Sequence, residues 1–449
     1  MSLATDTIIV GTRPKEGAFH GVTPYHWLVV IIASLGWLFD CMDQRIFILS
    51  RTPALRELLK DDPQALAALA TYGGYATTSM ILGWATGGII FGMMSDKIGR
   101  VKTMVVTLIV YSGFTGMSGL ANGLNDFLAY RFLAGVGIGG MFGAATALVA
   151  ESVSPQFRPT ALGILQTLSA VGNIIGSLIS LKVAPETVNM IGTYSGWRVL
   201  FLIGVLPALL VVPIIFLLKE PQSWLDAKAR AAASPDRRQA RKVGSPIELF
   251  REARWRRNTL VGLFLGVSGM IGLWGIGFFS PELIATALIG QPQDVVVSVR
   301  GWATALQDVG AFAGMLVFTY IAASISRRLA FLGSLVLSMV VTMFVFYSLR
   351  TPSDAYWMLP MMGFAQLSLF AGYSIYFPEL FPTRLRGTGV GFCYNTVRYL
   401  AAPAPILFGY LATLMSFRSA AVLMSTVYLV GMVALIWAPE TKGQPLPED

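Results

Sequence analysis

Twelve apolar stretches decide what this chain can become. They lie at about 26–50, 72–94, 102–122, 126–150, 160–182, 198–218, 258–287, 301–325, 329–349, 355–378, 388–411 and 419–438. Each is near the ~20 residues that a helix needs to cross a bilayer. Unpaired strand edges have no hydrogen-bond partners at that depth, so the spans are read as helices and the chain as an all-α membrane protein. Only 13% of the residues are charged, against about a quarter in an ordinary soluble domain. Residues 1–25 lack the apolar run of a cleavable signal peptide, since Ile8, Ile9 and Val10 are too few. The two cysteines, Cys41 and Cys393, fall inside apolar runs and suggest neither a disulfide framework nor a metal site. No cofactor is expected: there is no His/Cys cluster, no Walker-type phosphate loop and no nucleophile motif, so an enzyme is not the reading.

The largest interruption, residues 219–257, divides the spans six and six. It carries eleven Lys/Arg (Lys219, Lys228, Arg230, Arg237, Arg238, Arg241, Lys242, Arg251, Arg254, Arg256 and Arg257) against five acids. Short loops on the same side hold Lys97, Arg100 and Lys102; Arg158; Arg327 and Arg328; and Arg384 and Arg386. The positive-inside rule makes that side cytoplasmic, with both termini there. The outer loop 51–71 departs from the sorting: Arg51, Arg56 and Lys60 are offset by Glu57, Asp61 and Asp62. The net charge of +9 is thus read as a topology signal, with binding of anionic lipid by the linker as the alternative, and not as a sign of nucleic acid. The expected layout is a tail (1–25), a six-helix bundle (26–218), a basic linker (219–257), a second bundle (258–438) and a tail (439–449).

The first span contains two acids, Asp40 and Asp43, at i, i+3 and so on one helical face with Gly36 and Phe47; Trp37 and Gln44 flank it. An acid at membrane depth costs about 2.5–3.5 kcal/mol on insertion scales, so it should face a partner or a water-filled cavity. The plain alternative is a wetted helix end, which suits Asp43 better than the deeper Asp40. The chain also repeats itself. Glu151, Arg158 and Gly163 recur at the same spacing as Glu379, Arg386 and Gly391, with Pro155 and Pro382 between. Two parallel six-span halves, with a site between them at mid-depth, are one known transporter layout.

Three stretches carry a family resemblance. Gly92-Met93-Met94-Ser95-Asp96-Lys97-Ile98-Gly99-Arg100-Val101-Lys102 resembles the G-x-x-x-D-[RK]-x-G-[RK]-[RK] loop of the major facilitator superfamily. Arg131 to Gly140 resembles its fourth-span signature, and Pro378 to Gly387 the segment after the tenth span in sugar porters and organic-ion transporters. Phe39-Asp40-Cys41-Met42-Asp43 is similar to the F-D-G-x-D stretch of aromatic acid:proton symporters and niacin-transporter-like proteins, with Cys41 in place of glycine. Arg398 matches an eleventh-span arginine of that group. Sugar porters usually carry P-E-S-P-R where this chain has Glu220-Pro221-Gln222-Ser223-Trp224, and the G-P-x-x-G-G of antiporters is missing.

The resemblance implies two pseudo-symmetric six-helix bundles that work by alternating access, as a multi-pass monomer in the inner (plasma) membrane. In such a fold spans 1 and 4 are neighbours, so Arg131 can pair with Asp40 or Asp43 and couple protonation to rocking; alternatively it snorkels to the outer interface. Arg398 offers a fork that matches a carboxylate, or it pairs internally with Asp308. Gln166, Asn173, Trp274, Gln307, Gln366 and Tyr373 fit a mixed aromatic and polar pocket as a group, and helix–helix contacts individually. Asn395 and Tyr394 neighbour Arg398 on span 11, and with Trp37 and Asp308 they complete the expected substrate site. Glu282 after Pro281 either lines the outer vestibule or marks a helix end. Asp96 and Arg100 are expected to pair with Glu151 and Arg158 as a cytoplasmic gate, with a weaker C-half gate from Glu379, Arg386 and Arg328. The glycines of span 4 suggest a close helix approach. The function expected is proton-coupled import of a small organic anion, such as an aromatic or monocarboxylic acid. A sugar or polyol transporter and a non-transporting ligand sensor are the alternatives.

Overall fold

The computed structural model describes residues 21–64, 69–183, 185, 187, 190–233 and 243–448. The tail 1–20 and the linker cations Arg237, Arg238, Arg241 and Lys242 lie outside the described residues. Helices α1 (Pro24–Leu58), α2 (Leu69–Ile98), α3 (Arg100–Gly119), α4 (Leu124–Ser152), α5 (Arg158–Val183) and α6 (Gly196–Leu217) build one bundle. Helices α7 (Ala253–Ala287), α8 (Gln293–Ser324), α9 (Arg327–Ser348), α10 (Pro352–Leu380), α11 (Arg386–Ala401, continued by Ala404–Leu414) and α12 (Phe417–Ala434) build the second. Eleven described helices are long and apolar enough to cross a membrane. The remaining apolar segment, 388–411, is present as α11 in two pieces, because Pro403 has no amide hydrogen to continue the first. Among the described residues the extended structure is limited to an isolated bridge between Ile191 and Tyr194.

The halves repeat in their packing as in their sequence. α2 packs on α4 as α8 does on α10, α3 on α4 as α9 on α10, and α1 on α5 as α7 on α11. Glycines allow the tightest of these approaches. A Cβ at Gly135 or Gly139 of α4 would overlap the Met80 or Trp84 carbonyl of α2, and one at Gly310 or Gly314 of α8 would overlap Pro360 or Phe364 of α10. Large apolar side chains such as Phe216, Leu209, Ile436 and Tyr320 lie exposed on the outside of the bundles, where lipid is their natural solvent. Between the halves, α2 meets α11 and α5 meets α8.

One feature of α7 shapes the space between the bundles. Its α-helical geometry gives way to a π-helical stretch, Ile271–Ile276, and a 3-10 turn, Gly277–Phe279. Pro281 follows, and its ring would clash with the carbonyl four residues back in a regular helix. Broken backbone of this kind persists at membrane depth where it lines a protein cavity.

Candidate functional site

A cavity of about 340 Å³ lies between the two bundles. Its walls come from both: Trp37, Cys41, Gln44, Arg45 and Ile48 of α1, Trp84 of α2, and Gln166, Ser169 and Asn173 of α5. Facing them are Leu273, Trp274, Gly277, Ser280 and Pro281 of α7, Thr304, Gln307 and Asp308 of α8, Leu367 and Phe370 of α10, and Tyr394 and Arg398 of α11. At its floor Tyr394 stacks on Phe142 of α4 with ring centroids 4.0 Å apart, and Trp37 leans on Phe142 at 4.9 Å. This aromatic layer separates the cavity from the end of the bundles where α1 begins and α12 finishes, which the charge pattern of the loops makes the expected inner end.

Arg398 is held in place from three sides. Its guanidinium lies 3.7 Å from the Trp84 ring centroid and 5.1 Å from that of Tyr394. Its Nε donates to Asn395 Oδ1 at 3.3 Å, and Asn395 Nδ2 in turn donates to the Gly391 carbonyl. Asn395 therefore positions the arginine and does not itself line the cavity. Among the described residues no carboxylate pairs with Arg398. Asp308, the internal partner considered from sequence, accepts instead from Arg45 at 2.5 Å, across the two bundles.

Besides Asn395, two more of the pocket residues expected from sequence lie elsewhere. Gln366 of α10 turns toward α9 and donates to Thr342 Oγ1 at 2.9 Å. Tyr373 is fully buried and donates to the Leu265 carbonyl of α7 at 2.8 Å. Gln307 accepts from Ser280 at 3.1 Å, and Glu282 sits exposed in the first turn of the helix that resumes at Ser280.

Asp40 and Asp43 do not line the cavity. Their face of α1 turns into the N-terminal bundle, while the adjoining face, Trp37 to Ile48, borders the cavity. Asp43 Oδ2 lies 3.6 Å from Arg131 Nη1, both with no exposed side-chain surface. Arg131 Nε donates to Ser118 Oγ at 2.9 Å, and its guanidinium packs 4.7 Å from the Phe201 ring centroid. Arg131 thus lies inside the bundle and does not reach the outer interface. Asp40 faces Tyr111 and Asp43 faces Thr115, both on α3. None of the four carboxylate oxygens makes a hydrogen bond of normal geometry with a described residue.

The inner end is latched. Arg100 grips Glu151 with two bonds, of 2.8 and 3.0 Å, and lies 3.1 Å from Asp96. Asp96 crosses to the other bundle, accepting from the Gly387 amide at 2.9 Å, the Thr388 amide at 2.8 Å and Thr388 Oγ1 at 2.7 Å. These amides are the orphan donors of the first turn of α11, where a carboxylate also meets the positive end of the helix dipole. Arg386 reaches from that turn to Glu151, and Arg100 donates to the Thr383 carbonyl at 2.8 Å. Arg158, expected opposite Asp96, instead closes on the Ala150 carbonyl at 3.0 Å.

In the C-terminal bundle the partner of Glu379 is Arg327, at 3.1 and 3.3 Å, rather than Arg328 or Arg386. Arg328 donates to the Leu435 carbonyl. Two further acids, unassigned from sequence, complete the symmetry. Glu220 accepts from the amides of Arg100, Val101 and Lys102 at the start of α3, and Glu440 from those of Arg327 and Arg328 at the start of α9. Burial pushes the Glu220 carboxyl up. For Glu440 burial acts the same way, but the Ser326 hydroxyl and the amides outweigh it and hold the group below the usual range.

A family model described as the Major Facilitator Superfamily matches residues 33–404. The chain is 28% identical over 369 residues to the cis,cis-muconate transport protein of Acinetobacter baylyi, covering 81% of this chain and 84% of that one. It is 24% identical to the niacin transporter NiaP of the same organism, over 94% and 96% of the two chains. Among solved structures, the proton:xylose symporter XylE bound to 6-bromo-6-deoxy-D-glucose superposes with a TM-score of 0.76, at 18% identity over 94% of this chain and 98% of that one. With the duplicated bundle, the central cavity and the charged latch in place, the match across residues 33–404 makes this chain a member of the Major Facilitator Superfamily, a membrane transporter and not an enzyme.

Proposed function

We propose that the protein imports a small organic anion, such as an aromatic or monocarboxylic acid, together with a proton. The observation that carries this is Arg398: a cation on the cavity wall, pre-oriented by Trp84, Tyr394 and Asn395, and paired with no described carboxylate. A guanidinium fork matches a carboxylate bidentately, and the aromatic walls suit a ring. Muconate and niacin, the acids named for two relatives, are both small carboxylates, and niacin also carries the ring. A neutral sugar would leave the buried charge uncompensated, so the sugar-porter likeness of the fold does not favour one.

Coupling is assigned to Asp40, Asp43 and Arg131. A buried carboxylate is stable only when a proton or a cation accompanies it. A proton arriving at Asp43 removes the counter-ion of Arg131, and that change biases the packing of α1 against α4 and so the tilt of the bundle. The latch around Asp96 then opens and the cavity changes sides. The chain is read as an inner-membrane monomer with both termini in the cytoplasm.

The test is uptake of labelled benzoate into proteoliposomes under an inward proton gradient. Uptake above equilibrium that collapses with an uncoupler supports the reading. The Asp43→Asn variant is expected to lose uphill accumulation and keep exchange. Normal accumulation by that variant would remove the coupling assignment.

A further inference from the structure

Among the described residues, three charged side chains line the cavity: Arg45, Asp308 and Arg398. Two of them cancel. Arg45 of α1 and Asp308 of α8 form an ion pair of 2.5 Å across the mouth of the cavity, each side chain about a quarter exposed. The cavity therefore carries one uncompensated positive charge, on Arg398. Arg45 stands one helical turn outward of Cys41 on the wall that Arg398 faces, so both guanidiniums border the same space.

We infer that Asp308 is a selectivity residue: by occupying Arg45 it masks a second anion anchor and restricts the site to substrates with a single carboxylate. This rests on the reading of Arg398 given above and sharpens it. A monoanion on Arg398 leaves the cavity neutral. The second carboxylate of a dianion would meet an arginine already neutralised and an aspartate of like charge, and a like-charge contact is a standard device for rejecting the wrong ligand. Without the Asp308 charge, Arg45 is free and the same cavity offers two cations. The relatives fall on both sides of this distinction, since niacin has one carboxylate and muconate two.

The experiment compares benzoate with terephthalate, the same ring carrying one or two carboxylates, by equilibrium binding to the full-length protein in detergent. Wild type is expected to prefer benzoate. Asp308→Asn is expected to move the affinity ratio toward terephthalate by roughly tenfold or more, as an exposed like charge becomes an available cation. The double variant Arg45→Gln/Asp308→Asn should return to a benzoate preference, because it lacks the second anchor altogether. A wild type that binds terephthalate as well as benzoate, or an Asp308→Asn ratio equal to wild type with benzoate still bound, overturns the assignment alone. A wild type that binds neither acid removes the anion site itself and this inference with it. Should Asp308→Asn not yield folded protein, the double variant decides: a terephthalate preference in it refutes the role of Arg45.

Discussion

Asp96→Asn tests the inner latch as a switch rather than a static brace. The carboxylate accepts three bonds of 2.7–2.9 Å from the first turn of α11 and lies 3.1 Å from Arg100. A hydrogen bond to a charged group contributes about 1.5–3 kcal/mol, and the helix terminus adds up to about 2 kcal/mol in partly buried geometry. Asparagine keeps one acceptor oxygen but turns its amide group toward a donor, so at least one charge-assisted bond is lost and the charge with it. A loss of about 2–4 kcal/mol from the latched state is a shift of roughly 30- to 1,000-fold in the latched-to-open ratio. Ser95 is fully buried against Gly387 at the same contact and makes a near-isosteric reporter as Ser95→Cys. With Cys41 and Cys393 replaced by alanine, its rate of modification by a maleimide tracks the open fraction. The rate should rise by about the factor above, in proportion to that fraction. A rate within about threefold of the parent would refute the assignment of Asp96 to the conformational balance.

Two other perturbations have direct readouts. Glu57 accepts from Ser195, from Trp197 Nε1 at 2.7 Å and from Arg198 Nε at 3.0 Å, tying the outer end of α1 to the start of α6. Glu57→Gln should lower the melting temperature in detergent by about 2–8 °C, and an unchanged value contradicts a structural role for the knot. Gly139→Val should give little monodisperse protein on size-exclusion chromatography, since its side chain would overlap the Trp84 carbonyl. Gly113→Ala, where nothing lies within 4 Å, should behave as wild type.

The fold was legible because the spans, the basic linker and the doubled Glu–Arg–Gly spacing each point to the same twelve-helix arrangement. The placement of individual side chains was less so. Periodicity groups Asp40 with Asp43 but does not say which neighbour receives their face, and Cys41, about 100° further round the helix, is the residue that borders the cavity. The same rotation separates Arg327 from Arg328: the helix starts from the Ser326 cap, and that fixes which of the two meets Glu379. Gln366 and Tyr373 lie on faces of α10 that other helices of their own bundle cover, a choice made by tertiary packing. Glu220 and Glu440 looked like linker and tail. Their role depends on where α3 and α9 begin, as each caps a helix far away in the sequence.

The proposed transport depends first on Arg398 anchoring a carboxylate in the cavity between the bundles. Calorimetric titration of the purified protein with benzoate, in parallel with Arg398→Gln, addresses it without any assumption about coupling or direction. Wild type is expected to bind benzoate saturably and the variant to lose roughly tenfold or more in affinity, as befits a charge-assisted bidentate contact. Equal benzoate affinity in the two proteins, or a wild type that binds a neutral hexose and no acid, would contradict it.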